Sequence, residues 1–386
     1  MAELMLKLKS GVQRLLLIFI GIVMGLLIIE TFAVFTGVVV PQNFKARHKF
    51  YYEFLRPDPQ LGLKVSPNLR NFENLWNGEP GIEKVINTDN YGFRNLGRDY
   101  SQSNLYFIGD SFVWGLWVNR DKTFYGIIES EIKQPVIALG VPAYGFEQYE
   151  ILFQDWVTKF KPKTAVLCVY ANDLNRLKPL SKMKDYYEIY GWSKHQSLPW
   201  YKKTFLYQFI FNRKPKPDKN SLFAGLTKIK NGLFLLSDRK LLKPEFGLDI
   251  NYLTSDAHLQ VEEALTRIID LTQLNQVKLF IFLIPSKEST YIKDYAEISP
   301  HEVKYVETEE IGYNRLCQLA KSKNVNCVDL TKVFRQHSEE EKLYFDIDDH
   351  WNVAGHKLAS QLILDTLIQE KGVDLTQYVT NVSFKE

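Results

Sequence analysis

From residue 105 onward, short apolar runs alternate with segments of helical period, and no other feature constrains the fold as much. The runs are Leu105-Tyr106-Phe107-Ile108, Pro135-Val136-Ile137-Ala138-Leu139, Thr164-Ala165-Val166-Leu167-Cys168-Val169, Lys278-Leu279-Phe280-Ile281-Phe282-Leu283-Ile284 and a short one near Val328. Helical patterns cover Thr123 to Ile132, Gln148 to Phe160, Ser255 to Asn275, Thr308 to Ser322 and Val353 to Glu370. Near-continuous apolar strands separated by helices predict an α/β chain whose parallel sheet is covered on both faces.

Composition fits this class. Of the 386 residues, 45% are hydrophobic and 24% charged, which excludes a disordered chain, a collagen-like fibre and a polytopic membrane protein. A net charge of +3 calls for no nucleic acid partner. Three cysteines are too few for a disulfide scaffold or a zinc site. Cys168 lies within an apolar run and reads as a core thiol, while Cys317 and Cys327 are open to one bridge if the domain is exported.

The average hides one local run. Residues Leu15 to Val40 are apolar except for Glu30, Thr31 and Thr36. A helix from Leu15 to Phe35 would span roughly 31 Å, the thickness of a bilayer core. The run is too long for a signal peptide and ends without a small-x-small site, and a buried soluble helix is seldom apolar on every face. An uncleaved transmembrane anchor is the expectation. Lys7, Lys9 and Arg14 before it place the N-terminus in the cytoplasm and everything after Val40 outside, periplasmic or extracellular.

The organisation that follows has five parts: a basic tail over 1–14, the anchor over 15–40, a turn-rich strand-and-loop lead-in over 41–103, the main domain over 104–373 and a tail over 374–386. The main domain carries an insertion at about 175–253, far beyond ordinary crossover lengths. It holds the basic stretch Arg213-Lys214-Pro215-Lys216-Pro217-Asp218-Lys219 and many aromatics, Tyr186, Trp192 and Trp200 among them. These suit a lid or a glycan-facing surface, or equally the packing of the insertion onto the core.

The chemistry-bearing residues sit where strands end, the place where loops of an open parallel sheet converge. Ile108-Gly109-Asp110-Ser111-Phe112 follows the first strand; there Gly109 permits a tight turn and Ser111 presents its hydroxyl and its N–H. Gly140 follows the second strand and lets its N–H approach a ligand, and Asn172-Asp173 follows the third. Ser111 N–H, Gly140 N–H and Asn172 Nδ2 then make a three-donor oxyanion hole. Near the C-terminus, Asp346-Ile347-Asp348-Asp349-His350-Trp351-Asn352 precedes the last helix. A histidine beside carboxylates is what a serine nucleophile needs, and His356, the near competitor, falls inside the helix with no adjacent carboxylate.

These segments resemble the SGNH (GDSL-type) hydrolase family over roughly residues 103 to 370. The first block matches Gly109-Asp110-Ser111-Phe112, the second Gly140, the third Asn172-Asp173 and the last Asp348 and His350. The resemblance implies a three-layer α/β/α, flavodoxin-like fold and a Ser111-His350-Asp348 triad acting on esters without metal or cofactor. Many members place the acid three residues before the histidine, where this chain has Ile347. Asp348 at two residues before, with His350-Trp351, is similar to the membrane-associated branch of alginate O-acetyltransferase-type proteins. Asp346 and Asp349 are the other candidates for the acid, and Asp348 is the choice. The stretch Ile86-Asn87-Thr88-Asp89-Asn90-Tyr91-Gly92-Phe93-Arg94 also resembles the lead-in of anchored bacterial members.

Three functions follow as expectations. The first is an exported serine esterase that removes acyl groups, acetyl foremost, from a cell-envelope or extracellular glycan. The second is an O-acetyltransferase of polysaccharide modification, supplied by a polytopic membrane acyltransferase partner. The third is a non-catalytic assembly component, against which the intact Ser111, Asp348, His350 and Asn172 argue.

Overall fold

The computed structural model describes residues 2–36, 54–73, 85–175, 226–236 and 256–373. The insertion's basic stretch and aromatics, and the tail over 374–386, lie outside the described residues. The chain divides into two units, Met1–Glu53 with Tyr186–Leu222, and Phe54–Asp185 with Phe223–Glu386.

In the first unit, helix α1 (Ala2–Thr36) takes up the apolar run. Its side chains from Leu16 to Ile29 are apolar, and Leu17, Phe19 and Ile28 are 68%, 64% and 64% exposed. Among the described residues no helix is long and apolar enough to cross a membrane. Residues 37–40 of the expected anchor are outside those described.

The second unit opens with two antiparallel pairs, β1 (Leu55–Asp58) with β2 (Gly62–Val65) and β3 (Phe72–Glu73) with β4 (Val85–Ile86). Then come β5 (Leu105–Gly109), α2 (Ser111–Trp114), α3 (Phe124–Ile132), β6 (Val136–Gly140), α4 (Phe146–Leu152) and β7 (Thr164–Tyr170). After a hairpin of β8 (Leu226–Lys228) and β9 (Phe234–Leu236) follow α5 (Ala257–Leu274), β10 (Lys278–Ile284), α6 (Lys287–Thr290) and α7 (Ile292–Ile298). The chain continues with α8 (Val303–Ser322), β11 (Asn326–Asp329), α9 (Thr331–His337) and α10 (Val353–Gln369).

The central sheet runs β11-β10-β7-β5-β6 with every neighbouring pair parallel. Its strands are the five apolar runs of the sequence, and the two-residue period sorts their side chains. Leu105, Phe107, Val166, Cys168, Phe280 and Phe282 share one buried cluster with residues of α3 and α10. The alternate residues Tyr106, Ile108, Ala165, Leu167, Ile281 and Leu283 are buried as well. Helix α3 packs on α10, while α5 packs on α4 and α8. Cys317 on α8 and Cys327 on β11 form a disulfide, and Cys168 is a free, buried thiol.

Some helices depart from the expected bounds. Helix α4 starts two residues early, where the Gln148 side chain accepts a hydrogen bond from Gly145 N at 3.1 Å. The helices α6, α7 and α9 have four to seven residues, too short to register as a period in sequence.

The lead-in from Phe54 belongs to the same unit as the sheet. Asn95 pairs with the edge strand β6 as a strand would, donating to Ala138 O and accepting from Ala138 N, both at 3.0 Å. The buried Arg94 donates to the carbonyls of Trp114, Gly115 and Val118 at 2.9, 2.7 and 2.9 Å. The first two close the end of α2, where a helix this short leaves carbonyls without intrahelical partners, and Val118 lies in the turn that follows. Glu129 on α3 joins three elements, accepting from Arg98 (2.7 Å), Arg120 (2.5 Å) and Val136 N of β6 (3.0 Å).

Burial opposes the Glu129 charge, but the two arginines outweigh it and pull its pKa down to about 2. Because this lies below the unfolded-state value, the stabilisation is complete above pH ~4.5 and is lost as pH falls toward 2. Glu129→Gln is expected to lower the unfolding free energy by about 2 kcal/mol at pH 7. Urea titrations at pH 7, 5 and 3 should show that difference shrinking with acidity.

Candidate active site

Ser111 opens α2 at the C-terminal end of β5, a central strand. Asp110 caps this helix, its Oδ1 accepting from Phe112 N at 2.9 Å. Gly109 pairs in register with Gly140, so β5 and β6 end side by side. Neither glycine has a positive φ. The turn expected to need Gly109 is therefore open to other residues, and its glycine answers to packing. A Cβ there would run into Val113 and Cys168 O, and one on Gly140 into Trp114 N and the Val113 backbone. Glycine at both positions lets α2 sit directly on the sheet, which fixes the height of the Ser111 hydroxyl.

His350 Nε2 lies 2.7 Å from Ser111 Oγ, and its Nδ1 lies 2.5 Å from Asp348 Oδ1. The same carboxylate oxygen accepts the His350 backbone N–H at 2.9 Å. In neutral imidazole, an Nδ1–H donated to Asp348 leaves Nε2 as acceptor for the serine proton. Ser111 Oγ also lies 3.2 Å from Asp110 Oδ2. When His350 is protonated, Nε2 can only donate, and Asp110 is the acceptor left for the serine O–H.

The three acidic residues of this loop separate by environment. Asp346 pairs with Lys342 at 2.8 Å, away from the imidazole. Asp349 reaches solvent with part of its side chain, yet burial of its carboxyl and the neighbouring Glu288 push its pKa up to about 7. Only Asp348 is hydrogen-bonded to His350. Burial opposes its charge, but the His350 ring, that ring's hydrogen bond, the His350 N–H and the Trp117 indole hold it below the usual carboxylate range. Burial would likewise lower the His350 pKa; the Asp348 charge and hydrogen bond, then Asp110 and Asp349, raise it above the ordinary histidine value.

The loop that carries this pair is closed at its base. Tyr344 and Trp351 form an antiparallel bridge, Phe345 N donates to His350 O at 3.1 Å, and Asn352 Nδ2 donates to Lys342 O and Tyr344 O. Asn352 Oδ1 then caps α10 through Gly355 N. Trp351 is fully buried against Phe112, Phe124 and Phe334, and Phe112 lies 4.9 Å from the His350 ring. The residue after Ser111 thus supports the imidazole.

Asn172 follows β7, so the three candidate oxyanion donors stand at the ends of the adjacent strands β6, β5 and β7. Asn172 Oδ1 is buried with no hydrogen-bond partner among the described residues. Asp173 closes the turn beneath it, its Oδ2 accepting from Tyr149 OH and Tyr170 N, each at 2.9 Å. His356 is not brought to Ser111: its Nδ1 accepts from Phe124 N at 3.3 Å, and burial, then Arg94 and His350, drives its pKa to about 3.

Sequence reasoning missed Trp117 and Arg94. Trp117 holds a left-handed backbone (φ 69°) and packs with Val118 and Phe345, beside the Asp348 carboxylate. Its position in a turn after α2 carries no mark in the sequence; a bulky residue at positive φ is recognisable only once folded.

Residues 251–385 match the family model of the SGNH hydrolase-like domain of the acetyltransferase AlgX. The C-terminal third of the chain is thus similar to an SGNH hydrolase-like domain. That match places it with enzymes of the esterase or acetyltransferase kind. The matched segment holds Asp348 and His350; Ser111 lies outside it and joins them through the fold. No curated protein matches the sequence. Among solved structures, the acetyl xylan esterase AlAXEase is similar at 14% identity and TM-score 0.40, over 68% of this chain and 98% of the other. A mutant form of Axe2, an acetyl-xylooligosaccharide esterase from Geobacillus, gives 14% and 0.40 over 72% and 98%. A putative lipolytic protein of the G-D-S-L family from Desulfitobacterium hafniense gives 11% and 0.39 over 68% and 98%.

With His350 raised and required neutral, activity should fall as pH drops through a value above 6.5, the ordinary histidine pKa. Asp348→Asn removes the first cause of that elevation, so the acid limb of kcat/KM should move to lower pH. At the same time kcat should fall by about 10³–10⁴-fold, because the imidazole loses its tautomer. Initial rates on an aryl acetate across pH 5 to 9 test both.

Proposed function

We propose that the protein is a membrane-anchored, exported serine acyl-transfer enzyme acting on ester-linked acyl groups, acetyl foremost, of a cell-envelope or extracellular glycan. The observation that carries this reading is the unbroken chain from Ser111 Oγ through His350 to Asp348, at 2.7 and 2.5 Å. His350 Nε2 takes the hydroxyl proton as Ser111 Oγ bonds to the ester carbonyl carbon. Ser111 N–H, Gly140 N–H and the Asn172 amide meet the developing oxyanion, each such donor worth about 3 kcal/mol. Asp348 stabilises the imidazolium, which then returns its proton to the leaving alkoxide as the acyl-enzyme forms.

The acyl group leaves to water in an esterase or to a sugar hydroxyl in a transferase. The match to an acetyltransferase domain favours the second fate. A polytopic membrane partner would then bring the acyl group across the bilayer. Export is supported by the exposed apolar faces of α1 behind Lys7, Lys9 and Arg14. The Cys317–Cys327 disulfide agrees, since such bonds persist in oxidising compartments.

Purified full-length protein in detergent is expected to turn over 4-nitrophenyl acetate and to label with a fluorophosphonate at Ser111. Ser111→Ala should abolish labelling and lower turnover by at least about 10⁴-fold. Acetyl transfer to acetyl-free oligosaccharide, read by mass spectrometry, decides for the transferase; hydrolysis alone decides for the esterase. Absence of both turnover and labelling overturns the acyl-transfer reading.

A further inference from the structure

Lysine is rarely buried without a partner that accounts for it. Lys287 is 0% exposed, at the first position of α6, where β10 leaves the sheet. Its backbone site is fixed from both sides. Ser286 caps α6 by accepting from Ser289 N at 3.0 Å, and Ser286 N donates to the buried Glu309 Oε1 at 2.9 Å. From there the Lys287 ammonium reaches into the histidine loop. It donates to Asp346 O at 3.0 Å and to Asp348 O at 3.2 Å.

Those two carbonyls flank the peptide units that lead into the Asp348 side chain. The bridge between Tyr344 and Trp351 closes the base of the loop but does not hold its tip, residues 346–349. At the tip, the backbone acceptors are met by Lys287 and by Phe234 N of β9, which donates to Asp346 O at 2.8 Å. An ammonium is suited to this task because it offers several donors from one point, where a backbone amide offers one. The carboxylates of Glu288 and Asp349 stand in the same cluster.

We propose that Lys287 is a positioning residue for the triad, pinning the Asp346 and Asp348 carbonyls so that the Asp348 carboxylate meets His350 Nδ1 in register with Ser111. The proposal rests on the acyl-transfer reading for its catalytic consequence, but the loop geometry can be followed without turnover. A hydrogen-bonded Nδ1 proton between imidazole and carboxylate gives a strongly downfield proton resonance. Its presence reports the Asp348–His350 contact directly.

Lys287→Met keeps an unbranched side chain, one atom shorter, and removes the ammonium with its donors and charge. The folded variant is expected to lose the downfield resonance and to lower kcat on 4-nitrophenyl acetate by about 100-fold, the scale of a displacement near 1 Å. KM should stay within about threefold, since the ammonium reaches the loop backbone and not the substrate. Either readout unchanged in a folded Met variant overturns the proposal. If Lys287→Met does not fold, Lys287→Gln is measured by the same two readouts under the same criterion. If neither folds, the lysine serves the fold and not the loop, and the proposal is lost. A wild-type protein that shows the resonance but neither turns over ester nor labels at Ser111 removes the acyl-transfer reading; the resonance alone then decides the role of Lys287.

Discussion

The contact between Ser111 Oγ and His350 Nε2 joins residues 239 apart in sequence within 2.7 Å, and most of the second unit can be read as the means of keeping that distance. Ser111 stands over β5, next to the edge strand β6, while His350 arrives from the last crossover, after β11 at the opposite edge. The chain must therefore cross the sheet before α10 begins. Helix α10 is held on α3 by apolar packing and by His356, which supplies the acceptor for Phe124 N at the start of α3. A backbone N–H in the first turn of a helix has no intrahelical acceptor, so the interaction answers a standing need of α3. Two histidines six positions apart thus serve the same contact from opposite conditions. His350 is surrounded by carboxylates and gains basicity; His356 lies beside Arg94 in an apolar setting and stays neutral.

The Ser111 side of the contact depends on the lead-in. A helix of four residues has almost no hydrogen bonds of its own, and α2 owes its order to what surrounds it. Asp110 satisfies its N-terminal end, Arg94 its C-terminal carbonyls, and Gly109 and Gly140 allow it to rest on the sheet. The turn-rich segment before residue 103 contributes Arg94 and Asn95, one to the helix and one to the exposed edge of β6. It is part of the apparatus that presents Ser111, and not a spacer ahead of the sheet.

What the sequence made legible follows the physics of each feature. Strands buried on both faces must be apolar throughout, so β5, β6, β7 and β10 were visible as runs. The half-buried edge strand β11, Asn326-Cys327-Val328-Asp329, showed only as a short stretch near Val328. Residues at the strand ends were visible as candidates for the crevice. The choice of Asp348 over Asp346 and Asp349 rested on the resemblance to the alginate O-acetyltransferase-type branch, and the structure sets the three carboxyls in three different environments. The reason assigned to Gly109 differs because a turn and a close approach both call for glycine, and only the backbone angle and the neighbours separate them. Arg94, Trp117 and Lys287 were invisible because each acts on backbone or carboxylate far along the chain. A buried cation reads in sequence like any surface one.

The charge balance of the site explains why a buried cation is tolerable so near an imidazolium. Asp110, Asp348 and Asp349 all raise the affinity of His350 for a proton. Such a cluster stabilises a His350 that has taken up a proton, whatever the source of that proton. Burial and the neighbouring Glu288 in turn raise the pKa of Asp349, which opposes its charge. Lys287 lowers the same carboxyl's pKa while binding the loop backbone, so it offsets the crowding of negative charge at the place where crowding would force the loop apart. A loop that presents a carboxylate to a histidine needs its neighbouring dipoles turned elsewhere. Here the two carbonyl groups that flank the acid point to an ammonium and leave the carboxylate as the acceptor that faces the ring.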